Sequence, residues 1–386
     1  MIERSQLIDT IKRKLEKFPC VILLGLRQVG KTTISKNLFE TDIKYLDLEK
    51  SKDKYLLEAG VNEYLDQYAN NLIVIDEVQI LPQIFTELRP IIDSNKKKGR
   101  FILLGSANPT LVKGVSETLT GRAAYIDILP LSLMEVGVEN YQKRWLRGGL
   151  PKSYIADTNA DAFEWLDEYL RSYIERDFSI LFGIQINVNI ARRTLKILAS
   201  INGTTLNTSD LSRSLGVSNS TTNNYLDLLE GGYFIFRLPP YFPNVTKRVV
   251  KSPKVYISDE GVLHSLANIN TYESLVDHVL VGASWEGFVI NQIRFAVGKK
   301  VELFFYRTQV GAEIDLLIVR NNKPYIAIEI KNSNTPSISK GFYLACEDVG
   351  VEHKYIITKS EGGFTLKNTK VVGLVEFLTR DLAILV

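Results

Sequence analysis

Cys20-Val-Ile-Leu-Leu24 runs directly into Gly25-Leu-Arg-Gln-Val-Gly30-Lys31-Thr32-Thr33. The apolar run has the length and flanks of a buried parallel strand, and the segment after it is GxxxxGKT. Such a loop needs glycines because its backbone N–H groups must turn inward to hold phosphate oxygens. Gly25 and Gly30 supply the turns, Lys31 reaches the β and γ phosphates, and Thr32 offers a hydroxyl to Mg²⁺. Thr33 opens the following helix, whose N-terminal end is positive. ATP with Mg²⁺ is the expected ligand.

Two later strands supply the rest of such a centre. Leu72 to Ile75 ends in Asp76-Glu77, placing two carboxylates at the C-terminal edge of a strand, where ligands bind in open α/β sheets. Asp76 is then the Mg²⁺ partner, and Glu77 the group that orients and polarises the attacking water. Gln79 either positions water or caps a helix. Phe101 to Leu104 ends in Gly105-Ser106-Ala107-Asn108, so Ser106 or Asn108 is expected beside the γ-phosphate, an ordinary turn being the alternative. Arg122, in Leu119-Thr-Gly-Arg122, is a candidate for the positive charge that hydrolysis needs. A solvated surface arginine is the competing reading, and action within its own subunit or on a neighbour stays open.

The chain has 386 residues, enough for two to four domains. It is 45% hydrophobic and 24% charged, as a soluble globular protein is. The charged residues Glu3, Arg4, Asp9, Lys12, Arg13, Lys14 and Glu16 interrupt the first segment, which reads as an amphipathic helix rather than a secretory leader. With no apolar run long enough for a membrane span, and with Cys20 and Cys346 lacking metal-ligand spacing, a cytoplasmic protein is expected. A net charge of +3 does not by itself demand a nucleic-acid partner.

From Leu129 to Ile190 the apolar spacing is helical, with Trp165, Tyr169, Tyr173 and Ile174 on one face as core packing. Arg171, Glu175, Arg176 and Asp177 read as an exposed charge network. A helix at Ile190 to Ile201 follows, then a second from Thr208 closed by Gly216, then a third opened by Ser218 and running from Asn219 to Glu230. Tyr233 to Leu238 reads as the first strand of a wing, making a winged helix-turn-helix. The third helix begins with Asn219, Ser220, Thr221, Thr222, Asn223 and Asn224, a polar start suited to a DNA groove. Nine Lys or Arg against three Asp or Glu between Ala191 and Lys254 give a local +6. Arg192, Arg193, Lys196, Lys247, Arg248, Lys251 and Lys254 are candidate phosphate contacts. DNA is the expected partner, a protein-docking module the alternative.

Near the C-terminus, Tyr325 to Lys331 alternates as YIAIEIK, so Glu329 and Lys331 share a face. Gly311 to Val319 is a second strand, and the two should form a hairpin around Arg320 to Pro324. If Asn322 is the turn centre, Asp315 lies opposite Glu329; a two-residue loop would separate them onto opposite faces. Two carboxylates and a lysine meeting this way can hold Mg²⁺ and activate water against a phosphodiester. Glu286 is a further candidate ligand and Glu313 a supporting group. A salt-bridged surface patch is the alternative.

Taken together, GLRQVGKTT, LIVIDEVQ, GSAN, TGR, RGGLP, the winged helix, YRTQVGAEIDLLI and AIEIK resemble the AAA-type ATPases fused to a PD-(D/E)XK nuclease-fold domain, widespread in bacteria and archaea. The resemblance covers essentially the whole chain. It implies an α/β fold in four parts: a P-loop ATPase core with a parallel sheet (1–130), a helical connector (131–189), a winged helix (190–254) and a restriction-endonuclease-like α/β domain (255–386). It further implies ATP binding by Gly30, Lys31 and Thr32, Mg²⁺ and water handling by Asp76 and Glu77, and a nuclease centre at Glu286, Asp315, Glu329 and Lys331. Two functions compete: an ATP-hydrolysing, DNA-directed enzyme with Mg²⁺-dependent cleavage, and an ATP-controlled switch or scaffold that cuts nothing. A homo-oligomer or another protein is a candidate partner for either.

Overall fold

The computed structural model describes residues 2–38, 43–95, 97–106, 119–178, 186–242, 249–298, 300–333, 339–360 and 362–385. Asn108, Lys247, Arg248 and the side chains of Arg176 and Asp177 therefore lie outside the described residues.

Five short strands form a parallel sheet: β1 (Cys20–Leu24), β2 (Ile43–Asp47), β3 (Leu72–Asp76), β4 (Phe101–Gly105) and β5 (Ala123–Asp127), in the spatial order β2-β3-β4-β1-β5. Uncharged runs make the central strands β1 and β4, and β3 up to Asp76, because both faces are covered there, whereas the edge strands β2 and β5 carry Lys44, Asp47 and Asp127 and are only partly buried. Val21, Leu23, Val74, Ile102 and Leu104 pack with Ile11 and Leu15 of the helix Ser5–Leu15. The alternate residues Cys20, Ile22, Ile73, Ile75, Phe101 and Leu103 pack with Leu88 and Ile92 of the helix Ile84–Ser94. Each fully buried aliphatic side chain contributes about 1.5–3 kcal/mol. The order places β4 between β1 and β3, so the C-terminal ends of these three parallel strands lie side by side.

The helices Tyr141–Arg147, Pro151–Ile155 and Asn159–Ser172 follow, then three more, Val188–Ser200, Thr208–Leu215 and Asn219–Gly231. Gly216, at φ 71°, closes the second of these as a left-handed cap, and Ser218 Oγ accepts the Thr221 N–H at 3.1 Å to open the third. Strands β6 (Ile235–Leu238) and β7 (Lys254–Ile257) form an antiparallel ribbon that extends past residue 254, because Phe236 pairs with Tyr256 and Ile235 with Ile257. Between them the chain leaves to cover the edge of another sheet: the Tyr241 N–H donates to Phe305 O at 2.7 Å and the Val250 N–H to Arg307 O at 2.9 Å. An otherwise open strand edge is thereby paired.

That second sheet is mixed and six-stranded, ordered β12-β13-β11-β10-β9-β8, from β8 (Glu302–Arg307), β9 (Glu313–Arg320), β10 (Lys323–Ile330), β11 (His353–Thr358), β12 (Gly363–Leu366) and β13 (Thr369–Gly373). The helices Val281–Val297 and Lys340–Val349 pack on it. The β9–β10 turn has two residues, Asn321 (φ 51°) and Asn322 (φ 60°), the left-handed pair of a type I′ hairpin. Taken alone it would separate Asp315 from Glu329. A bulge between Pro324 and Ile326 shifts the register by one residue, so Ile328 faces Leu316 and Glu329 falls beside Asp315.

Candidate functional site

The P-loop is held by close backbone approach. A Cβ at Gly25 would stand 2.1 Å from the Ile128 carbonyl oxygen, and Gly30 occupies φ 102° just before the helix Lys31–Lys36. Lys31 is buried at 5% exposure. Its Nζ donates to Gly25 O (2.8 Å), Leu26 O (2.9 Å) and Ser106 Oγ (3.0 Å). All three acceptors are neutral, and burial pushes the ammonium down to about 8 against the pull of Glu77 and Asp76. A phosphate oxygen would be a stronger acceptor for this lysine than any of its present partners. Thr33 is exposed on the first turn of the helix.

The carboxylate end of β3 meets this loop. Thr32 Oγ1 donates to Asp76 Oδ2 at 2.7 Å, Tyr45 Oη donates to the same oxygen, and the Glu77 N–H donates to Asp76 Oδ1 at 2.9 Å. A hydroxyl and a carboxylate in contact beside the phosphate loop form the oxygen-only donor set that suits Mg²⁺, so the residues fit that ion. When bound, Mg²⁺ would neutralise charge developing on the phosphate oxygens. Glu77 has φ 55°, a left-handed conformation uncommon for a side chain of its kind. Gln79 Nε2 donates to Glu77 Oε2, the Ser106 hydroxyl donates to Glu77 Oε1 at 3.3 Å, and Gln79 Oε1 accepts the Ser106 N–H at 3.3 Å. Burial raises the Glu77 carboxyl while Lys31 pulls it down. Gln79 and Ser106 thus hold Glu77 from both sides. Tyr45 was not anticipated from sequence; its position in β2, level with Val74 of β3, was the available signal.

Arg122 is not part of this centre. It immediately precedes β5, whose first residue pairs with Cys20 at the start of β1, whereas the P-loop leaves the other end. Five residues of strand at about 3.3 Å each separate the two levels. There the guanidinium grips Asp93 through two bonds, at 2.7 and 2.8 Å. An arginine beside Asp93 at the far edge of the sheet cannot serve the γ-phosphate of its own chain.

The helical region touches the phosphate loop directly. Tyr169 Oη donates to Arg27 O at 3.1 Å, and the Tyr169 and Tyr173 rings pack on Phe234, at 6.2 and 4.5 Å, next to the β6–β7 ribbon. Tyr233 Oη donates to Asp127 Oδ1 at 3.0 Å, at the end of β5. A cleft of about 570 Å³ lies where these parts meet, bordered by Leu26, Tyr125, Tyr233, Phe236 and Arg294. A buried network ties the helical region to later parts of the chain: Arg144 Nη1 to Glu260 Oε2 at 2.7 Å, Asn291 Nδ2 to Glu260 Oε1 at 2.8 Å, and the Gly149 N–H to Asp259 Oδ2 at 2.7 Å.

Of the helix Asn219–Gly231, Asn219, Ser220, Asn223 and Asn224 are exposed, while Thr222 is buried and bonded to Ser212 Oγ at 2.8 Å. The basic residues are less available than their count suggests. Arg213 pairs with Asp210, Arg237 with Asp227 and Glu230, and Arg192 with Glu175, while Arg193 donates to Ser214 O. Lys196 and Lys251 are exposed.

Lys254, expected at a DNA phosphate, is instead 3% exposed. Its Nζ lies 3.0 Å from Glu286 Oε1, 3.0 Å from Glu313 Oε1 and 3.5 Å from Asp315 Oδ1, and these carboxylates hold the ammonium well above the usual lysine range despite burial. Asp315 Oδ2 accepts the Ile330 N–H at 2.9 Å, and Glu329 Oε1 pairs with Lys331 Nζ at 2.7 Å. The fold does bring Glu286, Asp315, Glu329 and Lys331 into one neighbourhood. As placed they do not fit Mg²⁺, because an ammonium stands where the carboxylates converge. Among the described residues no group of three or more His, Cys, Asp or Glu side chains is arranged to hold a metal.

The phosphate loop, the Asp76-Glu77 strand end and the parallel sheet define an AAA-type P-loop ATPase, and residues 17–137 match the family described as "AAA domain". Residues 138–273 and 281–377 match two families described as domains of unknown function, DUF8612 and DUF4143. The chain belongs to the family of the uncharacterized protein Rv2008c of Mycobacterium tuberculosis, with which it is 36% identical over 379 residues, 96% of this chain and 83% of that protein. The uncharacterized protein Mb2031c of Mycobacterium bovis matches to the same extent. Among solved structures, the Walker-type ATPase PABY2304 of Pyrococcus abyssi is similar at 14% identity and a TM-score of 0.44, over 69% of this chain and 96% of that one. No described helix is long and apolar enough to cross a membrane.

Proposed function

We propose that this protein is an ATP-controlled, DNA-associated switch in which Lys31, Thr32 and Asp76 bind Mg²⁺-ATP and Glu77 aligns the attacking water. In this reading Gly25, Gly30, Thr33 and the backbone of the loop cradle the phosphates, and Ser106 senses the γ-phosphate from β4. The helices Val188–Ser200, Thr208–Leu215 and Asn219–Gly231 with the β6–β7 ribbon act as a winged helix, whose third helix enters the major groove. The observation that carries the DNA part is the exposed row Asn219, Ser220, Asn223 and Asn224 on a helix whose opposite face is buried. Tyr169, on the P-loop carbonyl of Arg27 and against Phe234, supports a mechanical link from nucleotide state to that helix.

A fluorescence-anisotropy titration of a duplex between about 50 and 200 mM salt tests it, since phosphate contacts lose affinity steeply over that range. Binding should weaken with salt, differ between ADP and a non-hydrolysable ATP analogue, and fall in Asn219→Ala/Asn223→Ala. Absence of salt-dependent binding, or an unchanged affinity in the double variant, rejects the DNA assignment and leaves the ATPase.

A further inference from the structure

We propose that Lys254 is the resident cation of the C-terminal carboxylate cluster, making that centre an ion-pair joint between the β6–β7 ribbon and the C-terminal sheet rather than a metal-dependent nuclease site. Lys254 and Tyr256 are two apart on β7 and so present the same face. Lys254 Nζ reaches Glu286, Glu313 and Asp315, and Tyr256 Oη donates to Glu286 Oε1 at 2.6 Å. Both groups come from the ribbon that follows the helix Asn219–Gly231, and all three acceptors come from the C-terminal region. The joint therefore crosses between two parts of the chain.

The geometry is that of an ammonium and not of a metal shell. Carboxylate oxygens at 3.0 to 3.5 Å suit N–H donors, whereas Mg²⁺ requires oxygens near about 2.1 Å in an octahedron. Two further oxygens are engaged, Asp315 Oδ2 by the Ile330 N–H and Glu329 Oε1 by Lys331, while Glu329 Oε2 is buried without a hydrogen-bond partner. A divalent ion entering between these groups would be pressed against a buried positive charge, and Lys254, 3% exposed, has no solvent to retreat into while the ribbon stays paired. The backbone bonds from Tyr241 and Val250 to β8 help to keep the ribbon in place.

The test counts bound Mn²⁺ by electron paramagnetic resonance in the full-length, nucleotide-free chain, using Asp76→Asn throughout to remove the P-loop ion. Asp76→Asn alone should bind no tight Mn²⁺. Adding Lys254→Met should create one site per chain, adding Glu286→Gln to that should abolish it, and Lys254→Arg should remain empty. One equivalent of Mn²⁺ on Asp76→Asn that Glu286→Gln removes would overturn the proposal, as would a folded Lys254→Met chain that takes up none. Should Lys254→Met fail to fold, the comparison of Asp76→Asn with Asp76→Asn/Glu286→Gln still decides. Neither ATP nor DNA is in the assay, so its failure is separate from failure of the switch reading.

Discussion

Nucleotide affinity should fall as pH rises through the titration of Lys31. In the free protein this ammonium is buried among the carbonyls of Gly25 and Leu26 and the Ser106 hydroxyl, and its pKa is lowered to about 8. Bound phosphates would restore it to at least the ordinary lysine value, because an anion favours the charged form. Binding above pH 8 therefore takes up a proton. By linkage the affinity should decline about tenfold per pH unit, reaching roughly a hundredfold loss near pH 10. Below pH 7 the lysine is already protonated in the free protein, so this term contributes nothing further. The assay is a fluorescence titration with a labelled ADP at saturating Mg²⁺ between pH 6.5 and 9.5, with Lys31→Ala as the control that should bind weakly and without this slope. Affinity that stays level to pH 9.5 in the native protein would refute the argument.

Two substitutions probe the surroundings of that centre. Gln79→Ala removes the amide that steadies Glu77 and accepts the Ser106 N–H, so kcat should drop by on the order of tenfold with nucleotide affinity kept; a joint loss of binding would place Gln79 elsewhere in the mechanism. Arg144→Met strands the buried Glu260 carboxylate and should destabilise the chain by about 3–5 kcal/mol. Thermal unfolding reads this, and Arg144→Met/Glu260→Leu should recover much of the loss.

The ATPase half was legible because its signals are local. Uncharged runs of four or five residues leading into Gly25, Asp76 and Gly105-Ser106 state both the strand and the edge at which chemistry sits, and the observed strands fall within a residue or two of those runs. Gly216 and Ser218 marked helix ends for the same reason. What escaped was set by distance along the chain. Lys254 lies in a basic stretch and reads as solvated, yet its partners are 32 and 61 residues further on. The Asp315–Glu329 pairing depended on a bulge after Pro324 that no alternation pattern shows. Tyr169 read as core, which it is, while its hydroxyl also reaches a carbonyl 142 residues away. The placement of Arg122 was recoverable: a residue that precedes a parallel strand lies at the edge opposite the phosphate loop.

The most direct measurement of the central claim is steady-state phosphate release from ATP, with and without duplex DNA, by the native protein, Lys31→Ala and Glu77→Gln. Turnover should change when DNA is added and be lost in both variants, with ATP binding retained in Glu77→Gln alone. Hydrolysis by Glu77→Gln at the native rate would contradict that claim.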